Sequence, residues 1–231
     1  MTVRAPCRLL ERMATDLHGM VPDDAEVALL LIDVINDLEF ETGPALLEPA
    51  LTAGRNIAAL KREARRLRIP AIYVNDNFGR WRSDFRTLVK HCLEDGVRGE
   101  PLAHLMVPDD EDYFVLKPKH SGFFGTSLDI LLHYLGANSL ILTGLTTDMC
   151  VLFTAHDAYL RDYRLIVPGD CVASADPDAG SCALTHMRQV LRAEVTPSTT
   201  IDLTRRLGLL PGAPPCAPAR TLRGPDDTER R

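Results

Sequence analysis

The chain has 231 residues, 45% of them hydrophobic and 25% charged, with a formal net charge of −6. That length suits one large domain with a real core and is thin for two. The acidic balance, with no basic stripe, argues against a nucleic-acid partner, and no apolar run approaches the roughly 20 residues that span a bilayer. In chain order, residues 1–24 read as an N-terminal arm or short helix ending at Pro22-Asp23-Asp24. Met1 to Arg8 lack the apolar core of a secretion signal, so a cytoplasmic protein is expected. Val27 to Ile32 is a nearly continuous apolar run that stops at Asp33, the pattern of a strand covered on both faces. Pro44 opens a long helix with Ala50, Ile57, Leu60, Ala64 and Leu67 on one stripe and a basic solvated face opposite. Pro70 leads into a second strand, Ala71 to Val74. Trp81, Phe85 and Leu88 suggest a helix, followed by a polar loop. A third strand, Tyr113 to Leu116, ends at Lys117. Thr126 caps a helix that Gly136 closes.

The fourth strand is the short apolar run Leu140-Ile141-Leu142, broken by Gly144. Thr147 and Asp148 are good N-cap residues, and Val151, Leu152, Ala155 and Tyr159 then follow helical spacing. A fifth strand, Leu165 to Val167, a helix around 179–191 and a last strand near 193–196 complete the pattern. Strand and helix alternate throughout, so the fold class is α/β, a parallel doubly wound domain over residues 25–210. From Pro211 the tail, 211–231, is rich in proline and charge and reads as disordered.

Six cysteines are spaced widely, with no C-x-x-C pair, so neither a zinc knuckle nor a disulfide framework is indicated. Cys150 differs from the rest by its place in the first turn of a helix, at the sheet edge where ligands bind in open α/β folds. Asp33, Lys117 and Cys150 each follow an apolar strand directly. In a parallel sheet those ends share one edge, so the three side chains can converge. The chemistry of that trio is coherent. A carboxylate accepts the thiol proton, and a lysine keeps the carboxylate charged and faces the thiolate. A helix N-terminus and a cation together are expected to lower the thiol pKa by about two units, roughly 2.7 kcal/mol. Cys150 is then expected to take iodoacetamide faster than the other five cysteines.

Three segments make the sequence resemble the isochorismatase-like cysteine hydrolase superfamily, which includes nicotinamidases, N-carbamoylsarcosine amidases, ureidoacrylate amidohydrolases and isochorismatases. They are Leu29 to Asp37 around the aspartate, Val115 to Leu128 around the lysine, and Gly144-Leu145-Thr146-Thr147-Asp148-Met149-Cys150-Val151 around the nucleophile. The resemblance implies a three-layer Rossmann-like fold with a six-stranded parallel sheet between helices. It implies a cis peptide at Leu145–Thr146 and an oxyanion hole made by the N–H groups of Thr146 and Cys150. It also implies hydrolysis of a small amide or ureido C–N bond through an acyl-thioester on Cys150. Asp33 would shuttle the proton to the leaving amine and then activate water. A homo-oligomer, dimer or tetramer, is expected on the same ground.

The chain departs from the nicotinamidases of that group, which bind a divalent metal. Asp76 and His91 match two metal positions, but Phe78 stands where a histidine should be, so no metal and no other cofactor is expected. Leu38 and Leu88 replace the aromatic residues that clasp nicotinamide, which makes nicotinamide a poor candidate. Together with Asn77, Trp81 and Phe123 they are the expected contacts of a small-molecule substrate. The loop 75–84 offers amides, an indole and two arginines that suit a carboxylate. The seven histidines show no metal spacing, and His120 and His156 read as structural or exposed. The alternatives are a vinyl-ether hydrolase of the isochorismatase type and a non-catalytic small-molecule-binding relative. No G-x-G-x-x-G, Walker-A or G-x-S-x-G motif follows a predicted strand.

Overall fold

Apolar runs become strands where burial on both faces demands them. The computed structural model describes residues 25–77 and 84–206; the predicted arm and tail lie outside them. Six parallel strands form one sheet: β1 (Val27–Ile32), β2 (Ala71–Asp76), β3 (Tyr113–Lys117), β4 (Ser139–Leu145), β5 (Arg164–Ile166) and β6 (Val172–Ala173). The order is β3-β2-β1-β4-β5, with β6 continuing along β4. Alternate residues of each strand serve two separate cores. Leu29, Leu31, Tyr73 and Ile141 face one side, where α1 (Gly43–Arg66), α2 (Phe85–Glu94) and α3 (Glu100–Leu105) cover them. Leu30, Ile32, Val74 and Leu142 face the other, under α4 (Leu128–Leu135), α5 (Leu152–Tyr159) and α6 (Pro177–Gln189). The expected three-layer fold with a six-stranded parallel sheet is present. Among the described residues, no helix is long and apolar enough to cross a membrane.

Two elements differ from the sequence reading. Residues 193–196 contribute only a bridge, Ile166 to Glu194, and the sixth strand is Val172–Ala173. A two-residue strand leaves no period to read. The polar loop after α2 contains α3, whose Leu102 and Ala103 are buried against α1. Gly99, at its N-cap, approaches the Asn36 carbonyl so closely that a Cβ there would lie 1.7 Å from the oxygen.

The switch in strand order falls at β1, between β2 and β4. Open α/β sheets bind ligands outside the strand C-termini at such a point. The ends of β1, β3 and β4 therefore bring Asp33, Lys117 and the chain leading to Cys150 to one edge.

Candidate active site

Asp33 follows β1 and takes a left-handed backbone, φ 50°, which an aspartate tolerates better than most residues. Its N–H donates to the Val74 carbonyl, so the turn is anchored on β2. Asp33 Oδ1 accepts the Asp76 N–H at 2.7 Å, and Oδ2 lies 2.8 Å from Lys117 Nζ. Lys117, the last residue of β3, is fully buried. Its ammonium also lies 3.4 Å from Cys150 Sγ and 3.5 Å from Asp76 Oδ2. Asp33 and Cys150 are also close enough to influence each other's ionisation, which completes the triangle. All three predicted side chains meet.

The chain reaches Cys150 through a tight passage. Gly144 has φ 111°, and a Cβ there would lie 1.9 Å from the Ile32 carbonyl oxygen, so no side chain fits between β4 and β1. The Leu145–Thr146 peptide is cis. The next turn, Thr147–Val151, is π-helical, with Val151 N–H bonded to Thr146 O at 3.1 Å. This corrects the expected α-helical first turn: the N-cap residue is Thr146, and neither Thr147 nor Asp148 caps it. Asp148 instead accepts the Ser174 hydroxyl at 2.5 Å. Thr154, fully buried in α5, donates to the Cys150 carbonyl at 2.6 Å and accepts the Gly122 N–H at 3.0 Å. A threonine hydroxyl bonded back to residue i−4 loosens regular helix geometry, and a π turn at a functional site is a recurrent form.

Burial dominates the electrostatics. It pushes the Asp33 carboxyl up, opposed by the Lys117 charge and by hydrogen bonds from Cys150, Lys117 and the Asp76 N–H. Burial opposes the Lys117 charge, but Asp33 and Cys150 more than restore it, so the ammonium is held above its usual range. The Cys150 thiol is pushed up to about 12, by burial first and the Asp33 charge second, with Lys117 opposing. Burial and the Asp33 charge therefore work against a resting thiolate, the opposite direction from the one helix position suggests. Cys92 and Cys171 are also buried and pushed up to about 12, so no iodoacetamide preference for Cys150 follows from ionisation.

A pH profile checks this. If Asp33 must be ionised to take the thiol proton, activity is lost as pH falls through its raised pKa. The acid limb of kcat/KM is then expected above the ordinary carboxyl value of 3.8. The trio is expected to impose no alkaline loss below the ordinary lysine value of 10.5. An acid midpoint at or below 3.8 would contradict Asp33 as the base.

The isochorismatase-domain family model matches residues 27–200. The chain belongs to the isochorismatase family. The isochorismatase family protein YaaI of Bacillus subtilis (strain 168) is 41% identical over 172 residues, 74% of this chain and 94% of its own. The N-carbamoylsarcosine amidase of Thermoplasma acidophilum superposes with TM-score 0.59 at 30% identity, over 77% of this chain and 99% of that one. The nicotinamidase SaPncA of Staphylococcus aureus gives TM-score 0.58 at 26% identity, over 74% and 98%.

The other predicted residues of this isochorismatase-family chain scatter. Phe123 is buried under the Arg161 guanidinium, 4.7 Å from its ring, and 6.0 Å from Tyr163. Arg161 and Tyr163 follow α5 in the chain, and Phe123 belongs to the core against which Cys150 also packs. Leu38, with φ 55°, and Leu88 are buried in the α1–α3 core. Asn77 is buried, and its N–H donates to the Lys117 carbonyl at 3.0 Å. Trp81 and Phe78 lie outside the described residues. The proposed metal positions take other partners. Asp76 faces Lys117, whereas His91 lies 2.6 Å from Asp95 and 3.5 Å from Asp37. Among the described residues, no group of three histidine, cysteine or acidic side chains could hold a metal ion. The sequence reading gave no site role to His120, whose Nδ1 lies 3.9 Å from Cys150 Sγ. The irregular chain after Lys117 carries no period from which its direction could be read.

Proposed function

We propose that the protein hydrolyses the C–N bond of a small amide or ureido compound through an acyl-thioester on Cys150. The observation that carries this reading is a buried carboxylate–ammonium pair in contact with one thiol at a sheet edge. Asp33 takes the thiol proton as Sγ attacks the carbonyl carbon. Lys117 stays charged, so the departing proton meets a carboxylate whose partner does not move. The N–H groups of Thr146 and Cys150 stabilise the tetrahedral oxyanion; one such donor is worth about 2.7–4 kcal/mol of barrier. The C–N bond then breaks, Asp33 returns the proton to nitrogen, and ammonia or an amine leaves. Water hydrolyses the thioester and restores the thiol. The relatives named as N-carbamoylsarcosine amidase and nicotinamidase support C–N chemistry. A vinyl-ether reaction would leave the thiol without a role. The cytoplasm as its place of action and a homo-oligomeric state belong to the same proposal.

The test is an ammonia-release screen over carboxamides, ureido acids and biuret-like compounds. Hydrolysis of at least one of them is expected. Cleavage of isochorismate with no ammonia from any compound would contradict the reading.

A further inference from the structure

We propose that His156 and His186 form a pH-sensitive clamp that holds α5 and α6 together behind the nucleophile turn, closed while at most one of the two imidazoles is charged and released when both are. This device stands apart from the reaction proposed above.

Two helices grip the turn that carries Cys150. α5 continues directly from it, and α6 packs against it from a distant part of the chain. The approach of α6 is close at Gly180, where a Cβ would lie 3.2 Å from Ser174 Oγ and 3.9 Å from Thr147 Cβ. Ser174 in turn holds Asp148 of the turn. Further along, His156 of α5 meets His186 of α6, with the two Nε2 atoms 3.1 Å apart and the ring centroids 5.0 Å apart. Both residues are half-buried. Among the described residues, theirs is the one hydrogen bond between the two helices, and neither ring makes another.

An N–H···N bond needs one ring to donate and the other to accept. Two neutral rings satisfy that, and so does a pair holding one extra proton. A second extra proton leaves two donors, no acceptor and two positive charges on nitrogens that were in contact. Sites coupled this closely titrate as a pair, in two steps. Burial first, and His186 second, push His156 down from the ordinary 6.5, with Asp157 opposing. The unfolded chain therefore takes that proton more readily. The clamp's contribution to stability is full above 6.5 and falls away as pH drops below it.

The neighbouring carboxylates are already committed. Asp157 is engaged by the Ser121 hydroxyl and by Arg161. On the nucleophile turn, Asp148 is engaged by Ser174, and Cys150 faces Lys117. Tyr159, Asp178, Cys182 and Arg188 complete the titratable side chains of the two helices, and the charges that act on His156 are those of His186 and Asp157. Charging both rings removes the bond and drives α6 away from α5, so the turn loses one of its two walls.

The experiment is an NMR titration of wild-type protein, His186→Gln and His156→Gln from about pH 7.5 to about pH 5, the range of histidine titration. Imidazole and backbone amide resonances are followed together. Glutamine keeps a hydrogen-bonding group but takes no charge. In wild type the pair is expected to titrate in two steps about one pH unit or more apart, the second below 6.5. The Met149 and Val151 amides should move with that second step. In His186→Gln the His156 midpoint should rise toward 6.5 and those amides should stay in place. His156→Gln, the reciprocal change, should hold the same amides still, and it decides the matter if His186→Gln fails to fold. A His156 midpoint unmoved by His186→Gln would overturn the proposal. So would turn amides that stay still in wild type, or that move equally in the variants.

Discussion

Cys150→Ala is expected to lower C–N hydrolysis by about 10⁴-fold or more, the scale on which loss of a nucleophile acts when the rest of a catalytic set remains. The fold should survive. The thiol is half-buried and touches Lys117 and Asp33, which keep each other when it is gone. Urea unfolding should therefore place the variant within about 1 kcal/mol of wild type. Cys150→Ser is a sharper probe. A hydroxyl keeps the hydrogen bond to Asp33, but it is a much weaker acid and cannot pass its proton as readily. Ammonia release from Cys150→Ser should also fall by orders of magnitude. Activity of either variant within tenfold of wild type would leave Asp33 and Lys117 acting on something other than a thiol.

Lys117→Met carries the second large effect, and it falls on stability as well as rate. The ammonium has no exposure and is the cation beside Asp33 Oδ2, with Asp76 Oδ2 3.5 Å away. A thioether of similar length fills the space but leaves a buried carboxylate without its counter-charge. Removing one partner of a buried pair costs about 3–5 kcal/mol. The double variant Asp33→Asn/Lys117→Met should recover part of that loss, because neither charge then remains. Activity should not recover. Urea unfolding of the single and double variants at neutral pH separates these outcomes. Equal stability of Lys117→Met and wild type would mean that Asp33 is not ionised in the resting site.

The parts of this molecule legible in the sequence are those fixed by short-range pattern. Val27 to Ile32 can only be a strand covered on both faces, and it ends at Asp33. The same logic places Lys117 after β3. A parallel sheet brings such ends to one edge, so the trio could be assembled before any distance was measured. What stayed hidden depends on contacts between distant segments. The π turn at Thr147–Val151 forms where Thr154 takes the Cys150 carbonyl and the Gly122 N–H holds that hydroxyl in turn. No local propensity encodes that three-way bond. The high thiol pKa follows from enclosure by three strands' ends, whereas helix position alone argued for the opposite sign. Phe123 sits within the lysine motif, yet its ring packs against Arg161 and Tyr163, far along the chain. His120, three residues earlier, lies with Nδ1 3.9 Å from the Cys150 sulfur, a contact between segments 30 residues apart.

Both large effects bear on one covalent event at Cys150. The most direct test is rapid acid quench of wild-type protein during turnover of the most active compound from the ammonia screen, followed by intact-mass and peptide analysis. The predicted result is an adduct with the mass of the acyl group on the peptide containing Cys150, formed as fast as ammonia appears and absent from Cys150→Ala. Ammonia release with no adduct at any quench time, together with an active Cys150→Ala variant, would contradict acyl transfer through this cysteine.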